Sequence, residues 1–389
     1  MRYVIRPSID KIVTLAISVV VMGGTLVASD SAIAGPARID TITPPKGNIK
    51  LKREDWPKYQ PAVTVGTTLD QGDLLFPAQG VRVMVVCPDL TKRPVSAGVP
   101  SGLKTICPVW TVVAAKGPQS PGVLGGTNAQ IPYLIFPRHT LVLSNTPIFR
   151  WNAVQGATQY TVKLAGPTGM VWEKQVKGHQ VLYPGTPPLE PGTTYALTIQ
   201  TNTGKTSEEE KSANLDFKVL RPSEADTIKT EAEKIISQNL SKEVTAMLLA
   251  DLYSTYILPE SVISTYGLTS SNFRSYNLTG QAIATLETLV RQGKAAPIIY
   301  RALGDLYWQS GLANLAADHY LKAIELGKEP QDMEERTLAQ YGLGEVYAAT
   351  DNTNQAIRWY NQAANGYASL GYTQRADFLK QQIESLKQQ

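Results

Sequence analysis

Few side chains in this sequence are of the types that do chemistry, and those few are scattered. Cys87 and Cys107 are the two cysteines, and each is followed by proline. Thiols can ligate a metal, attack a substrate or oxidise to one another. A metal site would need further soft ligands, yet His139, His179 and His319 fall in three separate segments. In an exported chain an even pair within one small domain reads as a disulfide; in the cytoplasm the same pair reads as two free buried thiols. Gly204-Lys205-Thr206 imitates the end of a phosphate-binding loop, but Ile199 stands where that loop requires glycine, and the stretch lies at a hairpin tip. No Gly-x-Ser-x-Gly, His-Glu-x-x-His or calcium loop occurs. Carboxylate pairs are plentiful along the helical segments, where solvated faces account for them. These patterns point away from an enzyme and call for no cofactor and no metal, although a hydrolase assembled from scattered residues stays open.

A chain of 389 residues exceeds one ordinary domain, and 43% hydrophobic with 18% charged residues allows cores throughout. A net charge of +4 is too small to argue for nucleic acid. Basic residues cluster at Lys46, Lys50, Lys52, Arg53 and Lys58, beside Trp56 and Tyr59. An anionic polymer could contact them, but a solvated basic linker over residues 35–60 is the simpler reading, and no nucleic-acid partner is expected. The first residues read as an export signal over 1–34. Arg2, Arg6 and Lys11 flank an apolar run from Ile12 to Ala28, and Ser31-Ala32-Ile33-Ala34 supplies small residues before Gly35. Cleavage between Ala34 and Gly35 would release the chain into the periplasm or cell envelope. The alternative is a retained membrane anchor, for which the run is nearly long enough.

The elements that would position a site change character along the chain. From Pro61 the pattern is one of short strands, with Val81 to Val86 and Val109 to Ala114 as candidates, so residues 61–115 form a small β domain stapled by Cys87 and Cys107. Val65-Gly66-Thr67-Thr68-Leu69, Gly72-Asp73-Leu74-Leu75 and the strand after them resemble the periplasmic domain of FecR-like sensors, which implies a barrel-like fold. Residues 116–135 are a Gly/Pro linker by composition. Across 136–220, Tyr160, Val162 and Leu164 alternate, as do Tyr195, Leu197 and Ile199, giving sheets with one apolar face. The Trp151 strand and Leu189-Glu190-Pro191-Gly192-Thr193-Thr194-Tyr195 resemble fibronectin type III domains. That resemblance implies a β-sandwich in which Trp151 is core and the Tyr195 hydroxyl reaches backbone at a corner set by Leu189.

From residue 225 to 389 the apolar period is helical. Leu303-Gly304-Asp305-Leu306-Tyr307 and Leu343-Gly344-Glu345-Val346-Tyr347 repeat, and Ala, Tyr and Ala follow each glycine at the same offsets: Ala316, Tyr320, Ala323 and Ala356, Tyr360, Ala363. Leu249-Ala250-Asp251-Leu252-Tyr253 is a third, degenerate copy, with about twenty extra residues, Pro259 to Gly280, before its second helix. Ala376, Leu379, Ile383 and Leu386 stripe a terminal helix that caps the array. The pattern resembles tetratricopeptide repeats: helix pairs with small residues where the helices touch. The fold class is therefore multidomain α+β, two small all-β domains followed by an all-α helical array. The resemblance implies a groove for a protein or peptide segment, lined by Ile298, Arg301, Asp305 and Trp308 in one repeat and by Leu338, Tyr341 and Glu345 in the next. Packing between repeats is the competing reading for Trp308 and Tyr341, whereas Arg301, Asp305 and Glu345 are expected to be exposed. The function expected is an envelope scaffold or adaptor whose β domains serve as spacers or a second contact. The alternative is a sensor or glycan-binding module acting through the N-terminal β domain.

Overall fold

A computed structural model describes residues 35–108, 124–210, 215–256 and 277–388. The proposed signal segment, the Val109 to Ala114 strand and most of the Pro259 to Gly280 insertion lie outside them.

Strand formation starts at once, which corrects the reading of 35–60 as a linker. β1 (Ala37–Thr43) and β2 (Ile49–Lys52) are followed by β3 (Thr68–Leu69), β4 (Leu74–Pro77), β5 (Arg82–Val86), β6 (Lys92–Val95) and β7 (Ser101–Gly102). They form one sheet in the order β3-β1-β5-β6 and a second in the order β2-β4-β7. The misleading feature was lysine content. Ile49 and Leu51 face the core while Lys50 faces water, so a half-buried strand carries the basic residues on its outer side. Cys87, just after β5, is joined in a disulfide to Cys107, which follows the short helix α1 (Leu103–Ile106), and both are buried. Closing a loop of this size stabilises by about 3 kcal/mol in the chain-entropy view.

The expected linker 116–135 is corrected over its described part. Gly125 bridges to Leu312, and Ile131, Tyr133 and Leu134 are buried. Next come β8 (Leu134–Phe136), β9 (Thr140–Val142), β10 (Ile148–Trp151), β11 (Tyr160–Gly166), β12 (Gly169–Val176), β13 (Gln180–Leu182), β14 (Thr194–Thr201) and β15 (Asp216–Val219). A three-stranded sheet β13-β10-β8 faces a five-stranded sheet β12-β11-β14-β15-β9 across a core of Phe149, Trp151, Tyr183, Leu197 and Phe217. The corner forms as the sequence implies. The Glu190 N–H donates to the Tyr195 hydroxyl at 2.7 Å while the Tyr195 ring stacks on Phe217.

Eight longer helices follow among the described residues: α2 (Pro222–Ile236), α3 (Lys242–Thr255), α4 (Thr279–Arg291), α5 (Pro297–Gln309), α6 (Ala313–Leu326), α7 (Met333–Ala349), α8 (Thr353–Leu370) and α9 (Thr373–Lys387). α3 packs on α4, α5 on α6, α7 on α8, and α9 closes the row against α8. Side chains set the boundaries: the Ser241 and Asn352 side chains accept from the first turns of α3 and α8, and Gly371 ends α8 in a left-handed conformation.

The β domains lie at opposite ends of these helices. The N-terminal domain meets α3 through Asp40 and the Ser241 N–H, then the starts of α5 and α7 and the α8–α9 turn. The sandwich and the strand before it meet the α5–α6 turn and the start of α4. The N-terminal sheets share one core with α8 and α9, in which Ile39, Leu51, Trp56 and Val85 join Tyr360, Tyr367, Leu370 and Ile383. Most of the sandwich core is its own.

Candidate functional site

The repeat glycines place a tyrosine–carboxylate pair on each helix pair. A side chain on Gly304 would stand 2.5 Å from the Tyr320 ring, and one on Gly344 would stand 2.3 Å from Tyr360. With hydrogen instead, the ring lies flat on the neighbouring helix. Its hydroxyl then donates to the acid beside the glycine, Tyr320 to Asp305 at 2.8 Å and Tyr360 to Glu345 at 2.6 Å. Tyr341 stands beside this pair, its ring 6.2 Å from that of Tyr360. Burial, then the adjacent carboxylates, pushes the Tyr320 and Tyr341 hydroxyls well above the usual phenol range. These acids are therefore partners of the repeat tyrosines, a role visible in the sequence as the shared Gly-acid…Tyr spacing.

The expectation that Arg301, Asp305 and Glu345 are exposed is corrected. Arg301 is enclosed, bonding Asp305 on its own helix and Glu335 at 2.6 Å on α7. Two carboxylates already balance the Arg301 charge, and its side chain is only 18% exposed, so little is left to draw an acidic partner to it. Ile298 and Trp308 are core residues. Ile298 also meets the N-terminal domain near Gly66. Leu338 and Tyr341 are half-buried against the core of the last helices. Thus Arg301, Asp305 and Glu335 come together, as do Tyr341, Glu345 and Tyr360, but as internal networks.

The face these residues define has a third member that sequence reading missed. Ile299, Ala302 and Leu306 on α5 recur as Ala339, Gly342 and Val346 on α7, and as Ala376, Leu379 and Ile383 on α9, always turned inward. In that register Arg301 corresponds to Tyr341 and to Phe378. Phe378 is 53% exposed and borders a shallow depression with Gln381, Gln382, Ser385 and Leu386. The signal was present in the stripe of α9, since the residue before Leu379 takes the same position as the one before Gly342.

Charged contacts pin the β domains to the array: Arg38 of β1 bonds Asp251 of α3 at 2.7 Å, and two larger clusters add to it. At the N-terminal domain, Arg53 forks onto Glu334 at 2.8 and 2.9 Å and donates to Asp73 at 2.7 Å, with Asp70 at 3.6 Å. Trp56 is buried edge-on to Tyr372, whose hydroxyl donates to Glu334, and the Arg53 guanidinium lies over the Trp56 ring. Glu334 and Glu335, neighbours in the first turn of α7, thus hold arginines from two different elements, where the helix dipole favours acids. At the sandwich, Arg150 forks onto Glu287 of α4 at 2.5 and 3.0 Å, and the Tyr307 hydroxyl donates to the same carboxylate at 2.5 Å. Burial opposes ionisation of Glu287, but the Arg150 fork outweighs it and holds the carboxyl below the usual range. His319 packs on Tyr307 and bonds the Leu315 carbonyl, and burial lowers its basicity.

Among the described residues no three His, Cys, Asp or Glu side chains are grouped to hold a metal ion, and no helix is long and apolar enough to cross a membrane. His139 bonds Asp216 at 2.9 Å, far from His319 in the chain.

No protein-family model matches the sequence. No curated protein matches it either. Among solved structures, the MamA protein is similar at 18% identity and a TM-score of 0.25, over 43% of this chain and 82% of that one. The fibronectin(III)-like modules of Clostridium thermocellum CbhA are similar at 9% identity and a TM-score of 0.17, over 45% of this chain and 79% of theirs.

Proposed function

We propose that this chain is an exported protein-binding scaffold whose partner, a protein or peptide segment, contacts the helix face around Phe378. One observation carries the reading. Along the column Arg301, Tyr341, Phe378, the first two side chains are tied up inside the molecule, whereas a large aromatic stands open at the third. An exposed aromatic beside a depression is the kind of anchor on which protein interfaces concentrate their energy. The stacked helix pairs supply a rigid platform for it. The β domains brace this platform at both ends instead of acting as free spacers. The envelope location is supported by the charged-then-apolar N-terminal pattern and by the Cys87–Cys107 disulfide, a bond that oxidising compartments retain.

Affinity capture from envelope extract with wild type and Phe378→Glu tests the contact face. The variant is expected to melt within about 0.5 kcal/mol of wild type, as exposed substitutions do, and to lose the captured protein. Undiminished capture would remove this face from consideration. N-terminal sequencing of the chain from its native cell is expected to begin at Gly35; an intact Met1 in the cytoplasmic fraction would overturn export.

A further inference from the structure

The contact between the N-terminal domain and α7 carries more acid than base. Arg53 is the guanidinium that bonds its buried carboxylates. Asp73, 3% exposed, and Glu334, 12% exposed, both bond it, and Asp70 stands 3.6 Å away. The other groups turned toward it leave Asp73 and Glu334 sharing Arg53. Glu54 lies against Gly72 in the same turn, Tyr372, before α9, brings a hydroxyl that donates to Glu334, and Arg375 stands over the Tyr372 ring at 4.7 Å. The buried part is thus two carboxylates on one cation. An uncompensated buried charge is costly, and the simplest relief is a proton on one carboxylate.

Asp73 is the group to take it. Glu334 holds both ends of the guanidinium fork and a tyrosine hydroxyl, whereas Asp73 has one Arg53 bond and the Asp70 N–H at 3.0 Å. We propose that this contact takes up one proton on Asp73 in weak acid, and that the folded chain is most stable there. The carboxyl is placed accordingly. Burial raises Asp73 to about 6, with Arg53 pulling back and the charges of Asp70 and Glu334 adding to the rise. The sign follows from linkage. A group whose folded value lies above its unfolded 3.8 stabilises fully below 3.8, and that stabilisation is lost as pH rises through 6. For a chain in the cell envelope, which meets external acidity, this contribution to the fold would grow as the medium acidifies.

Equilibrium unfolding of the full chain at pH 7.5 and 5.0 tests this, with wild type compared against Asp73→Asn. His319 and the remaining carboxylates titrate in both, so the difference between the two proteins isolates Asp73. Wild type is expected to gain about tenfold in the folding equilibrium constant over that interval relative to Asp73→Asn. Should Asp73→Asn fail to fold, Glu334→Gln serves, since removing that charge lowers the proton affinity of Asp73 and must shrink the same gain. No difference in pH dependence between wild type and the folded variant, or a wild-type loss of stability not shared by the variant, overturns the proposal.

Discussion

The two β domains are attached to the helical array to different depths. The sandwich closes its own core around Trp151 and Phe149 and meets the array through Leu141 and Leu220, which enter the helices' core, and through Arg150 on Glu287, with Arg291 3.9 Å from the same carboxylate. The N-terminal domain's core runs without a break into that of the last helices. Its strands merge with α8 and α9, Trp56 is inserted beside Tyr372, and the acid-rich Arg53 cluster stands beside a one-to-one pair of Arg38 with Asp251 of α3. The sandwich can therefore be regarded as a domain docked on a scaffold. The first and last parts of the described chain are one folding unit, although some 300 residues separate Trp56 from Tyr372. Apolar burial sets whether a segment is autonomous, and polar contacts set how it is oriented.

Trp56→Ala should break this contrast most visibly. Removing a buried indole from a shared core is expected to cost about 3–5 kcal/mol and to lower the melting of strands and terminal helices together. Separate transitions for the sheet and for α8–α9 would show that the core is not shared. Arg150→Ala is expected to cost less, about 1–3 kcal/mol, by removing the guanidinium fork from Glu287, to which the Tyr307 hydroxyl still donates. The sandwich itself should remain folded, which the dispersion of its aromatic resonances around Trp151 and Phe149 would report. Loss of those resonances would mean that the sandwich depends on the array after all. The smallest effect is in acid. Glu287 is held below its ordinary 4.5, so its contribution is present above that value and fades as pH falls below it. Unfolding of wild type and Glu287→Gln followed from pH 5 to 3 should converge, the reverse of the behaviour assigned to Asp73; parallel curves would remove the distinction between the two contacts.

The parts legible in the sequence were those whose cause is local. Gly304, Ala316, Tyr320 and Ala323 recur at the same offsets as Gly344, Ala356, Tyr360 and Ala363 because one helix pair makes all of those contacts. The Leu189–Tyr195 corner and the period-two strands of the sandwich are equally short-range. Cys87 and Cys107 were readable as a pair because they lie close in sequence and are the two cysteines present. The candidate site was only half legible: the register of α5 and α7 named its column, but not which members would stay open to a partner.

That last point belongs to the tertiary structure. Arg301 looked available because its position on α5 says nothing of Glu335, which reaches it from the next repeat. Residues 35–60 looked like a tether because Trp56 and Arg53 find their partners Tyr372 and Glu334 roughly 280 to 320 residues away. The sequence by itself determined periodicity, turns and repeat geometry, which arise from contacts within a few tens of residues. Which charges cancel, which aromatics are covered and which strand needs which helix were decided only when distant segments met, because burial and ion pairing are properties of neighbours in space and leave no period in the chain.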